Sequence, residues 1–270
     1  MNDVFLMSFL KLFRPTMFPG KLGLFDRLFG DRLAAMGIRE VELESGIVWK
    51  LDLDNSPLRW IVYGCFVPGL IPWAKKHIPE DGVVVDSGAN IGQIALYLGQ
   101  YASKGRYLAF EPGTHQADWL EACVNKNKHI LPSIEIYRLG LSDTQETVYL
   151  KDCGGASTHG GHSIINDSEG ERVEVVMLDE HLSKLGIDRV DFWKLDMEGH
   201  EIFALKGARK LLEKQAVGAL YVELYGEKGF EVRRYLKDMG YRCHVFSRRW
   251  YLLQPEKEPA FQCNGLFLPE

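Results

Sequence analysis

At 270 residues, with 46% hydrophobic and 26% charged content, the chain is long enough for a sizeable core and has the composition of a folded α/β protein. Its formal net charge of -5 excludes a broadly basic surface, and with it nucleic acid as the expected partner. The five cysteines (Cys65, Cys123, Cys153, Cys243, Cys263) are odd in number and never spaced C-x-x-C, which argues against zinc and a disulfide framework and favours a reducing, cytoplasmic setting.

The opening segment, MNDVFLMSFLKLF, sets Phe5, Phe9 and Phe13 four residues apart beside Leu6 and Leu10, one apolar face of a short helix. Asp3 precedes the apolar stretch, Lys11 interrupts it and no clean cleavage site follows, so a signal peptide is disfavoured. Packing on the domain or on a partner chain is favoured over a membrane-surface role, because interfacial helices are richer in Lys and Arg. No stretch is apolar for long enough to span a bilayer. Homo-oligomerisation is left open.

Alternation from Val41 to Asp54 predicts a β-hairpin turning at Ser45-Gly46. An aromatic, proline-rich stretch from Trp60 to Trp73 follows, expected to lie over the ligand cleft, in which Tyr63, Phe66 or Trp73 could stack on a sugar face, although core packing explains most aromatics better. A short helix runs to about His77. Residues 1–80 thus read as an extension, and 81–270 as the main domain.

Beyond Gly82 strands alternate with helices. Strands are predicted at Val83 to Asp86, Tyr107 to Glu111, Ile134 to Leu139, Asp191 to Asp196 and Gly218 to Glu223, and helices at Gln93 to Tyr101, His115 to Asn127 and His200 to Leu212. Several strands are apolar on both faces, as buried parallel strands are, and the alternation implies a doubly wound sheet. Two further strands flank the glycine-rich CGGASTHGGHS, whose composition suits a lid over a substrate. YRCHVF and CNGLFLP close the chain as an antiparallel pair, and Arg233 and Arg234 read as a solvated face.

Function in such a sheet is read from the strand-to-helix turns. The first, Asp86-Ser87-Gly88-Ala89-Asn90-Ile91-Gly92, is neither G-x-G-x-x-G nor a P-loop. Its acid suits a cation or polyhydroxyl group and its glycines admit close backbone approach, so a ligand bearing both an ammonium and a carboxylate fits better than a pyrophosphate. S-adenosylmethionine is such a ligand. The second strand ends AFEP, placing Glu111 near the spacing at which an acid holds ribose hydroxyls.

The stretches VVVDSGANIGQIALYL, GRYLAFEP, LGLSD, FWKLDMEGHEIFALKGA and LYVEL, in this order, resemble the FkbM family of S-adenosylmethionine-dependent methyltransferases. The resemblance implies a Rossmann-like class I fold. Its sheet would have seven mostly parallel strands, ordered 3-2-1-4-5-7-6 with the last antiparallel, and helices on both faces. It also implies methylation of a hydroxyl on a sugar, glycan or natural product; a metal is not implied, although converging carboxylates could instead hold Mg²⁺. Carried over by position, Asp86, Gly88, Asn90 and Gly92 would line the methionine end, Glu111 the ribose, and Leu141, Ser142 and Asp143 the adenine. Gly140 and His200 stand where the family commonly has alanine.

An alcohol acceptor must lose a proton, which calls for a general base. Lys194, Asp196 and Glu198 fall on one face by the period of two, with Asp196 as the base and the other two tuning or orienting it. Glu223 could complete the acidic cluster. The alternative for Lys194 and Glu198 is an ion pair that organises the loop. His159 and His162 are further base candidates, and His200 adds a titratable group nearby. A cofactor-binding regulator without catalysis is the competing class of function, and a dehydrogenase is the third.

Overall fold

Strands buried on both faces have no polar side to offer water, so they belong in the middle of a covered sheet. A computed structural model describes residues 2–43, 46–131, 133–152, 162–165, 170–247 and 249–270. Ahead of the sheet come α1 (Asp3–Phe13), α2 (Lys21–Ala34), a hairpin of β1 (Ile38–Glu42) and β2 (Val48–Asp52), α3 (Ser56–Tyr63) and α4 (Leu70–His77). The hairpin is antiparallel, with Val41 opposite Trp49. Ser45 of its expected turn lies outside the described residues.

The βα alternation begins with β3 (Val83–Ser87), α5 (Ala95–Leu98), β4 (Arg106–Phe110), α6 (Thr114–Lys126) and β5 (Ile134–Tyr137). An excursion follows through β6 (Gly140–Leu141), β7 (Glu146–Asp152), β8 (His162–Ile165), β9 (Glu171–Val176) and α7 (Leu178–Lys184). The alternation resumes with β10 (Phe192–Leu195), α8 (Glu201–Lys206), α9 (Arg209–Glu213), β11 (Leu220–Tyr225) and α10 (Gly226–Asp238), and closes with β12 (Tyr241–Phe246), β13 (Leu253–Pro255) and β14 (Gln262–Pro269).

The main sheet runs β5-β4-β3-β10-β11-β14-β12-β13. This is the expected class I order, with β14 antiparallel between β11 and β12. The expected count of seven is corrected to eight. A turn closed by Ser247 N–H on the Leu252 carbonyl (2.9 Å) folds the chain back, so that β13 pairs antiparallel with β12 at the sheet edge. Strands β6, β9, β7 and β8 form a separate four-stranded sheet. The helix expected from His200 to Leu212 is two helices, because Asp179 accepts from Lys210 N–H (2.8 Å) and Leu211 N–H (3.1 Å) and so caps a second start at α9.

Each sheet face carries its own core. The extension, α5 and α6 cover one, where Leu6, Leu10, Trp49, Leu58 and Leu120 pack with Val84, Tyr107 and Phe192. Helices α7 to α10 cover the other, against Val85, Leu108, Trp193 and Val222. In α1 the buried residues are Leu6 and Leu10, while Phe5 and Phe13 lie at the surface. Arg233 also departs from expectation: it is buried and holds Glu256 through two nitrogens, at 2.9 and 2.8 Å, so its charge is compensated inside the protein. Among the described residues no helix is long and apolar enough to cross a membrane.

Candidate active site

Strand order reverses between β3 and β10, so the loops leaving their carboxyl ends diverge and open a crevice. A cavity of about 380 Å³ lies there, within the size range of small-molecule sites. It is cut into the face covered by the extension. Lys194 shares that face with Phe192, and Asp86 shares it with Val84, as alternate strand residues must.

The β3 turn forms one wall. Gly88 and Ala89 N–H groups both donate to the Phe110 carbonyl at 3.0 Å, tying the turn to β4. Gly88 has φ 68°, and a Cβ there would run into the Asp196 carbonyl, so only glycine allows the loops after β3 and β10 to touch. Asn90 is also left-handed, at φ 52°, a conformation that asparagine accepts more readily than most residues with side chains. Its Oδ1 accepts from Ile91 N–H (2.8 Å) and its own N–H donates to Glu111 Oε2 (2.7 Å). Gly92 lies outside the cavity lining, beneath Trp49 and Leu120, whose side chains occupy the place of its Cβ. Trp49 reaches in from the hairpin and donates through Nε1 to the Ile91 carbonyl (3.1 Å).

Behind this wall sits a buried polar network. Asp86 is fully buried and does not line the cavity; its Oδ2 accepts from the Tyr107 hydroxyl (2.7 Å), and its Oδ1 is 3.3 Å from Lys194 Nζ. Lys194 in turn donates to the carbonyls of Gly88 (2.6 Å) and Ser87 (3.3 Å) and stands 3.6 Å from Asp196 Oδ2. Burial works against the Lys194 charge, but the Asp86 and Asp196 carboxylates outweigh it and hold the ammonium above the ordinary lysine range. Glu111, at the end of β4, also accepts from Gly113 N–H through Oε1 (2.9 Å). Burial pushes its carboxyl up to about 7 despite those backbone donors.

Acids from the loop after β10 and from β11 also line the cavity. Asp196 keeps 48% of its side-chain surface in solvent. Glu198 follows in a left-handed conformation, φ 53°, with its carboxyl raised by burial and by the charges of Asp196 and Glu201. Buried Glu201 ties the loop by accepting from Met197 N–H (2.8 Å) and Gly199 N–H (3.1 Å). Glu223 of β11, one step beyond the Leu195–Val222 pair and so beside Asp196, is raised to about 8, by burial first and then by the charges of Asp196, Glu198 and Glu201. His200 stacks on Phe203, with 4.6 Å between ring centroids, and its Nε2 lies 3.1 Å from Ser142 Oγ. Burial holds its imidazole below the ordinary histidine range.

Of the residues singled out in the sequence, Gly88, Asn90, Glu111, Leu141, Lys194, Asp196, Glu198 and His200 therefore line the cavity together. Asp86, Gly92, Ser142 and Asp143 lie outside the lining. His159 and the side chain of His162, which belongs to β8, lie outside the described residues. Phe66 lines the cavity, whereas Tyr63 is buried with its hydroxyl on Asp26, and Trp73 packs on His77 and Phe192. Trp60 of α3, the first residue of the aromatic stretch expected over the cleft, also lines the cavity, whereas sequence reasoning missed Tyr221 and Asn264. Asn264 stands opposite Glu223 across the β11–β14 pair, a neighbourhood with no local signal. Among the described residues no group of three or more His, Cys, Asp or Glu side chains is arranged to hold a metal ion.

Comparison with known proteins matches residues 86–243 to the methyltransferase FkbM domain. The chain is 28% identical over 206 residues to the AMB antimetabolite synthetase AmbE of Pseudomonas aeruginosa, covering 62% of this chain and only 10% of that protein. It is 30% identical over 152 residues to the hexuronic acid methyltransferase AglP of Haloferax volcanii, covering 56% of this chain and 59% of that one. A crystal structure of a methyltransferase FkbM from Methylobacillus flagellatus, 14% identical, aligns over 90% of this chain and 58% of its own with a TM-score of 0.48.

Proposed function

The chain belongs to the FkbM methyltransferase family, and from that premise we propose that it moves the methyl group of S-adenosylmethionine to a hydroxyl oxygen of a sugar or natural-product acceptor. One observation carries the reading. A single cavity at the carboxyl edge is lined both by Glu111 with the β3 turn and by the half-exposed side chain of Asp196. The names of two relatives, a hexuronic acid methyltransferase and a methyltransferase, support the class of reaction, and the first also the class of acceptor.

The residues present fit the cofactor. After accepting from Asn90 and Gly113, each Glu111 oxygen retains a second lone pair for one hydroxyl of a ribose diol. Phe110 and Leu141 offer apolar surface for a base, and the Gly88-Ala89-Asn90 backbone would hold the methionine end. Asp86 acts at one remove: it fixes Lys194, which fixes the Gly88 carbonyl and with it the turn. When bound, the cofactor supplies a methyl group on a positively charged sulfur.

The protein's share is positioning and proton removal. Trp60 and Phe66 line the same cavity and would give the acceptor an apolar surface to rest on, with Asp196 taking the hydroxyl proton as general base. The test is transfer of labelled methyl to a panel of glycosides and hydroxylated aromatics, with products resolved as ethers by mass spectrometry, before and after EDTA treatment. Ether products support the reading. Tight cofactor binding with no transfer to any acceptor overturns it in favour of a regulator.

A further inference from the structure

We propose that Asp196 and Glu223 act as one proton-sharing carboxyl pair, in which Glu223 is a positioning residue that donates a hydrogen bond to Asp196 and keeps its carboxyl aimed at the acceptor. This rests on the reading of Asp196 as the base. The juxtaposition comes from strand register: Lys194 pairs with Tyr221 and Leu195 with Val222 in the parallel β10–β11 ladder, so the next residues, Asp196 and Glu223, emerge side by side. Both line the cavity, on the same face as Lys194 and Tyr221.

The surrounding charges explain why one proton stays. Glu198 and Glu201 add two more acids from the loop after β10. Among the described cavity-lining residues Lys194 is the one lysine or arginine, and it already faces Asp86 at 3.3 Å and two carbonyls; His200, also in the lining, is held below the ordinary histidine range by burial. Lys228 of α10 is spent on the Gly199 carbonyl (3.0 Å). Tyr221 is a buried phenol raised above its ordinary range, and Asn264, opposite Glu223 on β14, is neutral. Pro57, Trp60, Phe66 and Val67 of the extension bring no charge. Two carboxyls side by side under these conditions retain a proton between them, as like charges in one site do. Glu223, raised to about 8, holds it, and Asp196, the more solvent-exposed member, stays available.

In the transfer step the acceptor's O–H bond breaks, its proton passes to the Asp196 carboxylate, and the freed oxygen electron pair forms the new O–CH3 bond. The methyl–sulfur bonding pair remains on sulfur as its positive charge is discharged. Asp196 then releases the proton to water through its exposed side.

Carboxyl 13C NMR titration of the full chain tests the pair without any acceptor, in wild type, Glu223→Gln and Asp196→Asn. The expected result is one carboxyl that keeps its proton through neutrality and loses it near pH 8, is missing in E223Q, and moves down by about one unit or more in D196N. A Glu223 resonance that titrates below pH 5, or that does not move in D196N, overturns the proposal. With the acceptor found by the labelled-methyl assay, wild-type kcat should fall as pH rises through about 8 and E223Q should not. At pH 7 E223Q should stay within about threefold of wild type, while E223A loses about 10- to 100-fold in kcat with little change in KM. Equal losses in E223Q and E223A, with an unchanged pH profile, would reduce Glu223 to packing. Absence of transfer to every acceptor, with the shared proton present, would sink the proposed function but not the pair.

Discussion

Replacing Glu111 by Gln should change how stability depends on pH, by an amount that follows from burial. The Glu111 carboxyl is raised from 4.5 to about 7 in the folded chain, so the fold favours its protonated form. Below pH 4.5 both folded and unfolded chains carry the proton and nothing is lost. Between 4.5 and 7 the unfolded chain ionises while the folded chain resists, and stability falls by about 1.4 kcal/mol per pH unit, or about 3 kcal/mol in all, levelling off above the folded value. Gln cannot ionise and lacks this loss. Its amide can accept from only one of the Asn90 and Gly113 N–H groups, a constant offset of about 1–3 kcal/mol that does not vary with pH. Urea unfolding of cofactor-free wild type and E111Q from pH 5 to 8 should therefore show E111Q gaining about 2–3 kcal/mol relative to wild type across the series, or roughly 4–10 °C in Tm. Two curves that stay parallel from pH 5 to 8 would refute the claim that a buried, ionisable Glu111 stands at the end of β4.

Three further outcomes follow from the same geometry. Gly88→Ala forces a Cβ against the Asp196 carbonyl at a left-handed φ, and should cost about 3 kcal/mol or more in denaturant unfolding while abolishing cofactor binding in calorimetry. Trp49→Ala removes a fully buried side chain and the donor to Ile91, and should destabilise by about 3–5 kcal/mol with cofactor affinity falling in the same protein. Glu256→Gln leaves the Arg233 guanidinium buried without its counter-charge, for a loss of about 3 kcal/mol by urea titration and no change in cofactor affinity.

Much of the fold is legible because its signals are local. Val83 to Asp86, Tyr107 to Glu111 and Asp191 to Asp196 are short apolar runs that end in acids, and the turns after them mark the sheet edge where the cavity lies. The left-handed Asn90 is local too, since its side chain tolerates the conformation that the turn requires. What the sequence conceals depends on partners far along the chain. Asp86 looks like a ligand-facing acid until Tyr107 and Lys194 are seen to enclose it. Trp49, in a hairpin well ahead of the β3 turn, carries no sign that it will brace Ile91. Arg233 reads as solvated because Glu256, which neutralises it, lies across a connection of irregular length. The extra edge strand β13 is only three residues long and leaves almost no periodicity to detect.

Titration calorimetry with S-adenosylmethionine on wild type, Glu111→Ala and Asp196→Asn, with methyl transfer measured on the same samples, tests the division of roles between Glu111, toward the cofactor, and Asp196, toward the acceptor. Glu111→Ala should lose about tenfold or more in cofactor affinity, while Asp196→Asn binds within about twofold of wild type and transfers methyl about 100- to 10,000-fold more slowly. The reverse pattern, with affinity lost in Asp196→Asn and turnover kept, would contradict that division.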